Sequence, residues 1–178
     1  MLITTDKLKT IDAFKNYENS ELERRLKAIE KAIRNHTKNN FQVREIRFNG
    51  NSQDNKIFGF SPYFQVGDTI EISQSINKGL YVITEINEEY ITLDKNLYSV
   101  AENLVTKIYY DDDIIEGAIK ILKWDLKEEE HLGVASESET LSRHSKSVTY
   151  QNIDKQNTIE GRPASLFGFC KPYMKARF

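Results

Sequence analysis

Few residues in this chain of 178 are of types and spacings that support chemistry. His36, His131 and His144 are its three histidines, scattered without the short intervals of metal motifs. The single cysteine, Cys170, lies near Pro172 and a basic terminus, with no histidine placed to act as its base. It reads as structural, excludes an internal disulfide framework and fits a reducing compartment. Asp111-Asp112-Asp113 has the charge to attract a cation, but no further ligands follow at calcium-loop spacing. The three acids read instead as a cap and a favourable charge at a helix N-terminus. Glu88-Glu89 and Glu128 to Glu130 fall in a turn and at a helix end, as solvated acids do. No glycine-rich loop cradles a phosphate, since Gly67-Asp68 and Gly79 are turn residues. No nucleophile, base and orienting group can be assembled, so the expectation is a non-enzyme with no catalytic residue, no metal and no cofactor.

Recognition is a better fit to what the chain does hold. Its end carries Phe167, Phe169, Lys171, Tyr173, Lys175, Arg177 and Phe178, the mixture of aromatic anchors and basic groups that protein interfaces favour. Before it, seven of the fourteen positions from Ser136 to Thr149 are serine or threonine, too little apolar surface to fold alone. Within that stretch Ser145, Ser147 and Thr149 alternate with Lys146, Val148 and Tyr150, which predicts a strand that pairs with another chain. Ser147, Val148 and Tyr150 therefore join the seven terminal residues as expected partner contacts. On this reading 163–178 is a docking tail, and its removal leaves a folded protein that has lost its partner.

The elements that would position these residues follow from periodicity. Residues 3–15 predict a short helix through Leu8, Ile11 and Phe14. A capping box at Ser20 and Glu23 starts a second helix, with Leu22, Leu26, Ile29 and Ile33 on one stripe and an end near Thr37. Its opposite face, with Glu23 before Lys27 and Glu30 before Arg34, reads as solvated. From Phe41 to Tyr109 the period becomes two. Val43, Ile46 and Phe48 predict an irregular strand, 50–55 a turn or loop, and Ile57, Phe58 and Phe60 a short strand. Ile70 and Ile72 follow the Gly67-Asp68 turn; Asn77-Lys78-Gly79 turns the chain into Leu80, Val82, Thr84 and Ile86. Asn87-Glu88-Glu89 leads to Ile91 and Leu93, and a last strand lies near Leu104 to Tyr109. Five or six such strands make a small antiparallel barrel or sandwich.

A broad stripe then returns the chain to helix from Asp112, with Ile115, Ala118, Ile119, Leu122 and Leu126 widened by Ile114, Ile121 and Trp124. Such a stripe needs cover on more than one side, from the earlier helices and from a neighbouring subunit. Gly117 inside it permits a close crossing. Pro163 opens a final short helix and Pro172 ends it. The expected fold is α+β: a helical core (1–40 and 110–132), an inserted antiparallel β-barrel-like module (41–109) and an extended C-terminal arm (133–178).

Apolar residues are 39% of the chain and charged residues 29%, so part of it is expected outside a core. The net charge of −2 argues against general nucleic-acid binding. No apolar run approaches a membrane span and no basic-then-apolar leader is visible, so the expectation is a soluble, unprocessed protein.

As a whole the pattern resembles the head–tail connector (adaptor, or head-completion) proteins of long-tailed bacteriophages, especially those of Gram-positive hosts. The resemblance is carried by the N-terminal helix pair, by Val66-Gly67-Asp68-Thr69-Ile70-Glu71-Ile72 and Gly79-Leu80-Tyr81-Val82-Ile83 in the β insertion, and by the helix Asp112 to Glu130. It extends through Gly133-Val134-Ala135-Ser136-Glu137-Ser138, Ser147-Val148-Thr149-Tyr150 and Leu166 to Arg177, and covers nearly all of the chain. The β insertion is larger than a minimal helical adaptor requires. The resemblance implies a structural virion protein at the head–tail junction, made in the host cytoplasm. It implies a homo-oligomeric ring, usually a dodecamer, beneath the portal protein, with a downstream connector (stopper) as the other partner. The ring would extend a channel through which DNA passes without specific binding, and the C-terminal arm would engage the portal.

Three other readings compete. A nucleic-acid-binding module would stack bases on Phe58, Phe60, Tyr81 and Tyr90 of the β insertion. A different virion connector, such as a stopper or tail-completion protein, would share the interfaces but not the position. A metal-dependent nuclease would use Asp111 to Asp113.

Overall fold

The computed structural model describes residues 2–59, 62–130, 136–141, 144–149 and 158–176. The chain is α+β and divides into two compact units: Met1–Thr4 with Lys38–Asp111, and Thr5–Thr37 with Asp112–Phe178.

In the first unit, β1 (Gln42–Gln53), β2 (Lys56–Phe58), β3 (Thr69–Ser73), β4 (Gly79–Ile86), β5 (Tyr90–Leu93) and β6 (Val100–Ile108) form a closed barrel. Their order around it is β1-β2-β5-β4-β3-β6, and every neighbouring pair is antiparallel. Closure removes the free edges that an open sheet of this size would expose. Apolar alternation fills the interior: Ile57, Ile70, Ile72, Ile83, Ile91, Leu93 and Val105 are buried together with Phe64 and Leu97. Entry and exit of the module are clasped, because Tyr109 N–H donates to Phe41 O at 3.0 Å and the Phe41 and Tyr110 rings lie 4.9 Å apart.

Two details differ from the sequence expectation. The segment expected as a loop at 50–55 is strand as far as Gln53, and the chain turns only at Asp54-Asn55, where Asp54 takes a φ of 55°. Gly50 is required there by close approach, since a Cβ would fall 2.5 Å from Phe58 O on β2. On β4 the deeply buried residue is Ile83, whereas Thr84 is exposed. A register shift between Ile83 and Glu85 then lets Ile86 pack on the core, so a single alternation does not describe the strand. Phe60 lies outside the described residues.

The barrel also contains a buried polar network that patterning does not reveal. Asn103 is fully buried and donates from Nδ2 to Gly50 O at 3.1 Å and Ser52 Oγ at 3.0 Å. Its Oδ1 accepts from Ser75 Oγ at 2.7 Å and Asn77 Nδ2 at 3.1 Å. Asn77, 3% exposed, also accepts from the Tyr98 backbone N–H at 2.8 Å and donates to Tyr98 O at 2.9 Å. The network ties β1, β6 and the loops 74–78 and 94–99 together. Removal of the Asn103 amide would take a donor from Gly50 O and the acceptor from Ser75 Oγ, and each buried unsatisfied group costs about 1–3 kcal/mol.

The second unit holds α1 (Thr5–Lys9), α2 (Asn19–Thr37), α3 (Asp112–Glu130), the strands β7 (Ser136–Leu141), β8 (His144–Thr149), β9 (Thr158–Ile159) and β10 (Arg162–Pro163), and a 3-10 helix, Ala164–Tyr173. The expected helix at 3–15 is broken. Thr10 Oγ1 and N–H both reach back to Lys7 O, at 2.7 and 3.3 Å, and the chain continues as a 3-10 turn at Asp12–Phe14. α2 starts one residue early, so Ser20 lies inside it rather than at its cap. Leu22, Leu26, Ile29 and Ile33 are fully buried as the stripe requires. Glu30, expected on the solvated face, is only 4% exposed.

Asn103→Leu is expected to lower the stability of the barrel by about 2–4 kcal/mol through stranded partners. A urea titration followed by circular dichroism checks this; an unchanged midpoint would show that the network contributes little.

Candidate functional site

The predicted contact residues fall on two features of the second unit. The first is the chain end. Arg162 opens it with a two-pronged ion pair to Asp125 on α3, Nε to Oδ1 and Nη2 to Oδ2 both at 2.7 Å, with both side chains largely buried. The 3-10 helix then runs antiparallel to α3. Phe169 lies against Gly117, where an added Cβ would overlap its ring. Tyr173 OH donates to Asp113 Oδ1 at 2.6 Å. Arg162, Phe169 and Tyr173 meet Asp125, Gly117 and Asp113 in that order, so the segment follows α3 along its length.

The same segment covers α2. Phe167 is 1% exposed and meets the His36 ring edge-on at 5.5 Å. Lys175 N–H donates to Thr37 O at 2.8 Å, satisfying a carbonyl at the end of α2 that has no partner within the helix. Cys170 is fully buried. The broad stripe of α3 thus has its second neighbour within its own chain. Phe167, Phe169 and Tyr173 all make contacts within this unit, Phe167 buried and Phe169 and Tyr173 half-buried. The side chains of Lys171 and Lys175 are exposed. Arg177 and Phe178 lie outside the described residues.

The second feature is the hairpin β7–β8. Ser147 and Val148 sit on β8, in register with Ser138 and Glu137 of β7. The strand expected to pair with another chain pairs first within its own. Tyr150 lies outside the described residues. Together β7 and β8 form a separate two-stranded sheet.

Among the acids at the start of α3, Asp113 also accepts from the adjacent Ile114 N–H at 2.8 Å. Its role in fixing Tyr173 was not legible in sequence, because the two are sixty residues apart. Among the described residues no group of three or more His, Cys, Asp or Glu could hold a metal ion. No described helix is long and apolar enough to cross a membrane. In the barrel, Phe58 and Tyr90 meet edge-on at 5.7 Å, with Lys56 Nζ 4.2 Å from the Tyr90 ring centre. The Tyr81 hydroxyl donates to Asn77 O at 2.8 Å and Lys95 covers its ring. Burial, then the nearby Asp94, pushes its phenol above the ordinary range.

Burial also pushes the Cys170 thiol up from 9.0 to about 11, with the charge of Asp113 adding to the shift. The sign is that of a group kept neutral by folding. Its contribution is complete below pH 9 and is lost as pH rises towards about 11, because the unfolded chain ionises first. The urea midpoint of the second unit, followed through Trp124 fluorescence, is therefore expected to fall across that window. Cys170→Ala should show a shallower fall; identical profiles would remove the cysteine from the account. Deleting residues 163–178 is expected to abolish cooperative unfolding of the same unit, since truncating a buried Phe alone costs about 3–5 kcal/mol. A melting curve for the truncated chain that matches the full chain would contradict this.

Comparison with known protein families finds no match to the chain, and comparison with curated proteins finds none.

Proposed function

We propose that this chain is a structural connector subunit: it forms a ring beneath a phage portal and joins the capsid vertex to the tail-side connector, extending the DNA channel. The observation that carries this is the hairpin β7–β8. A two-stranded sheet with a Ser- and Thr-rich sequence is at most marginally stable alone in water and presents backbone donors and acceptors along its outer edges. Such an element suits a role completed by a neighbouring chain. The sequence resemblance supplies the identity of the partners, the portal above and a stopper below. Ring closure and docking are the mechanism, and no bond is made or broken. The near-neutral charge agrees with a conduit that lets DNA slide.

A second reading has one observation in its favour, the Phe58, Tyr90 and Lys56 cluster, which could stack and neutralise a nucleic-acid strand. Electron microscopy of the protein mixed with purified portal separates the two. The connector reading expects an added ring of density on one portal face. Bare portals, together with strongly salt-dependent binding of single-stranded DNA by the free chain, would favour the second.

A further inference from the structure

Between the N-terminal 3-10 turn and α3 the second unit carries an open cleft of about 260 Å³, lined by Ala13, Phe14, Tyr17, Lys123, Leu126 and Lys127. Its floor is apolar, with Phe14 and Leu126 buried. Its rim is basic. Lys123 and Lys127 stand one turn apart on α3, both exposed, and neither forms an ion pair among the described residues. Like charges at that spacing repel along a helix, and Lys120 continues the row. Asp125, the acid between them, is committed to Arg162. A basic rim over an apolar floor fits an extended segment bearing acids and an aliphatic side chain.

The chain contains such a segment. β7 reads Ser136-Glu137-Ser138-Glu139-Thr140-Leu141, with two acids and then a leucine at every other position. Alternate strand positions are about 6.6–6.8 Å apart, and four residues of helix rise by about 6 Å, so the acid pair and the lysine pair share a pitch. Within the hairpin, Glu139 is in register with Lys146 and Glu137 with Val148. β7 pairs with β8 alone among the described strands.

We infer that the cleft receives strand β7 of a second copy of this chain, with Glu137 and Glu139 set against Lys123 and Lys127 and Leu141 over Phe14 and Leu126. The inference rests on the proposed ring and names the contact between its subunits. Cleft and strand are different surfaces, so the contact is heterologous, the kind that closes into rings when the rotation allows.

The test uses the full-length chain in sedimentation velocity, alone at high concentration and after addition to portal rings. Lys123→Glu with Lys127→Glu, and separately Glu137→Lys with Glu139→Lys, should each weaken self-association by about tenfold or more while leaving the melting curve unchanged. Mixing the two variants should restore assembly, because each variant's cleft then meets a strand of opposite charge on the other. Reversed variants that assemble like the parent would overturn the contact and leave the ring reading standing. Recovery in a single chain carrying all four changes, without recovery in the mixture, would mean that the strand enters its own cleft and would overturn the inference. A parent chain that stays monomeric alone and on portal would overturn both readings.

Discussion

The helical unit depends on one packing relation, the antiparallel run of the C-terminal 3-10 helix along α3. Three contacts fix it along its length: Arg162 on Asp125, Phe169 on Gly117 and Tyr173 on Asp113. Between them Phe167 and Cys170 are buried, and Phe167 reaches His36 at the end of α2. A missing Cβ at Gly117 is the constraint that lets the ring of Phe169 lie against the helix. Glycine there weakens α3 by up to about 1 kcal/mol relative to alanine, and the packing it permits offsets that loss. Without this segment α3 would expose an apolar face to water.

This relation changes where recognition can reside. Aromatic residues in this segment resemble interface anchors, yet Phe167 is buried in its own unit and Phe169 and Tyr173 pack on α3. The proposed partner surfaces are the polar hairpin and the basic cleft beside α3. The proposed connector role needs a rigid body and a few elements that couple it to neighbours. The closed barrel, pinned inside by Asn103 and Asn77, has the first property, and the hairpin suits the second.

Much of the fold was legible because burial imposes period. Ile70, Ile72, Ile91 and Leu93 announced strands, and Leu22, Leu26, Ile29 and Ile33 announced a helix, and all are buried. The irregularities were not legible. A register shift on β4 moves the inward row without changing residue types, and Thr10 breaks the first helix through a local bond to Lys7. Breadth of the α3 stripe showed that a second neighbour was needed. Periodicity says that a face must be covered but not by which segment, so a neighbouring subunit and the chain's own end were indistinguishable. The asparagine network was hidden for a related reason: its members come from three separate stretches, and each alone reads as a turn or surface residue.

Native-state hydrogen exchange tests the central claim that the chain end is part of the helical core. In the free protein the amides of 164–173 are predicted to exchange in the same slow class as those in the middle of α2 and α3. Exchange of 164–173 at the rate of an unstructured peptide, with α2 and α3 still protected, would contradict it and return these aromatic residues to the role of a detached docking arm.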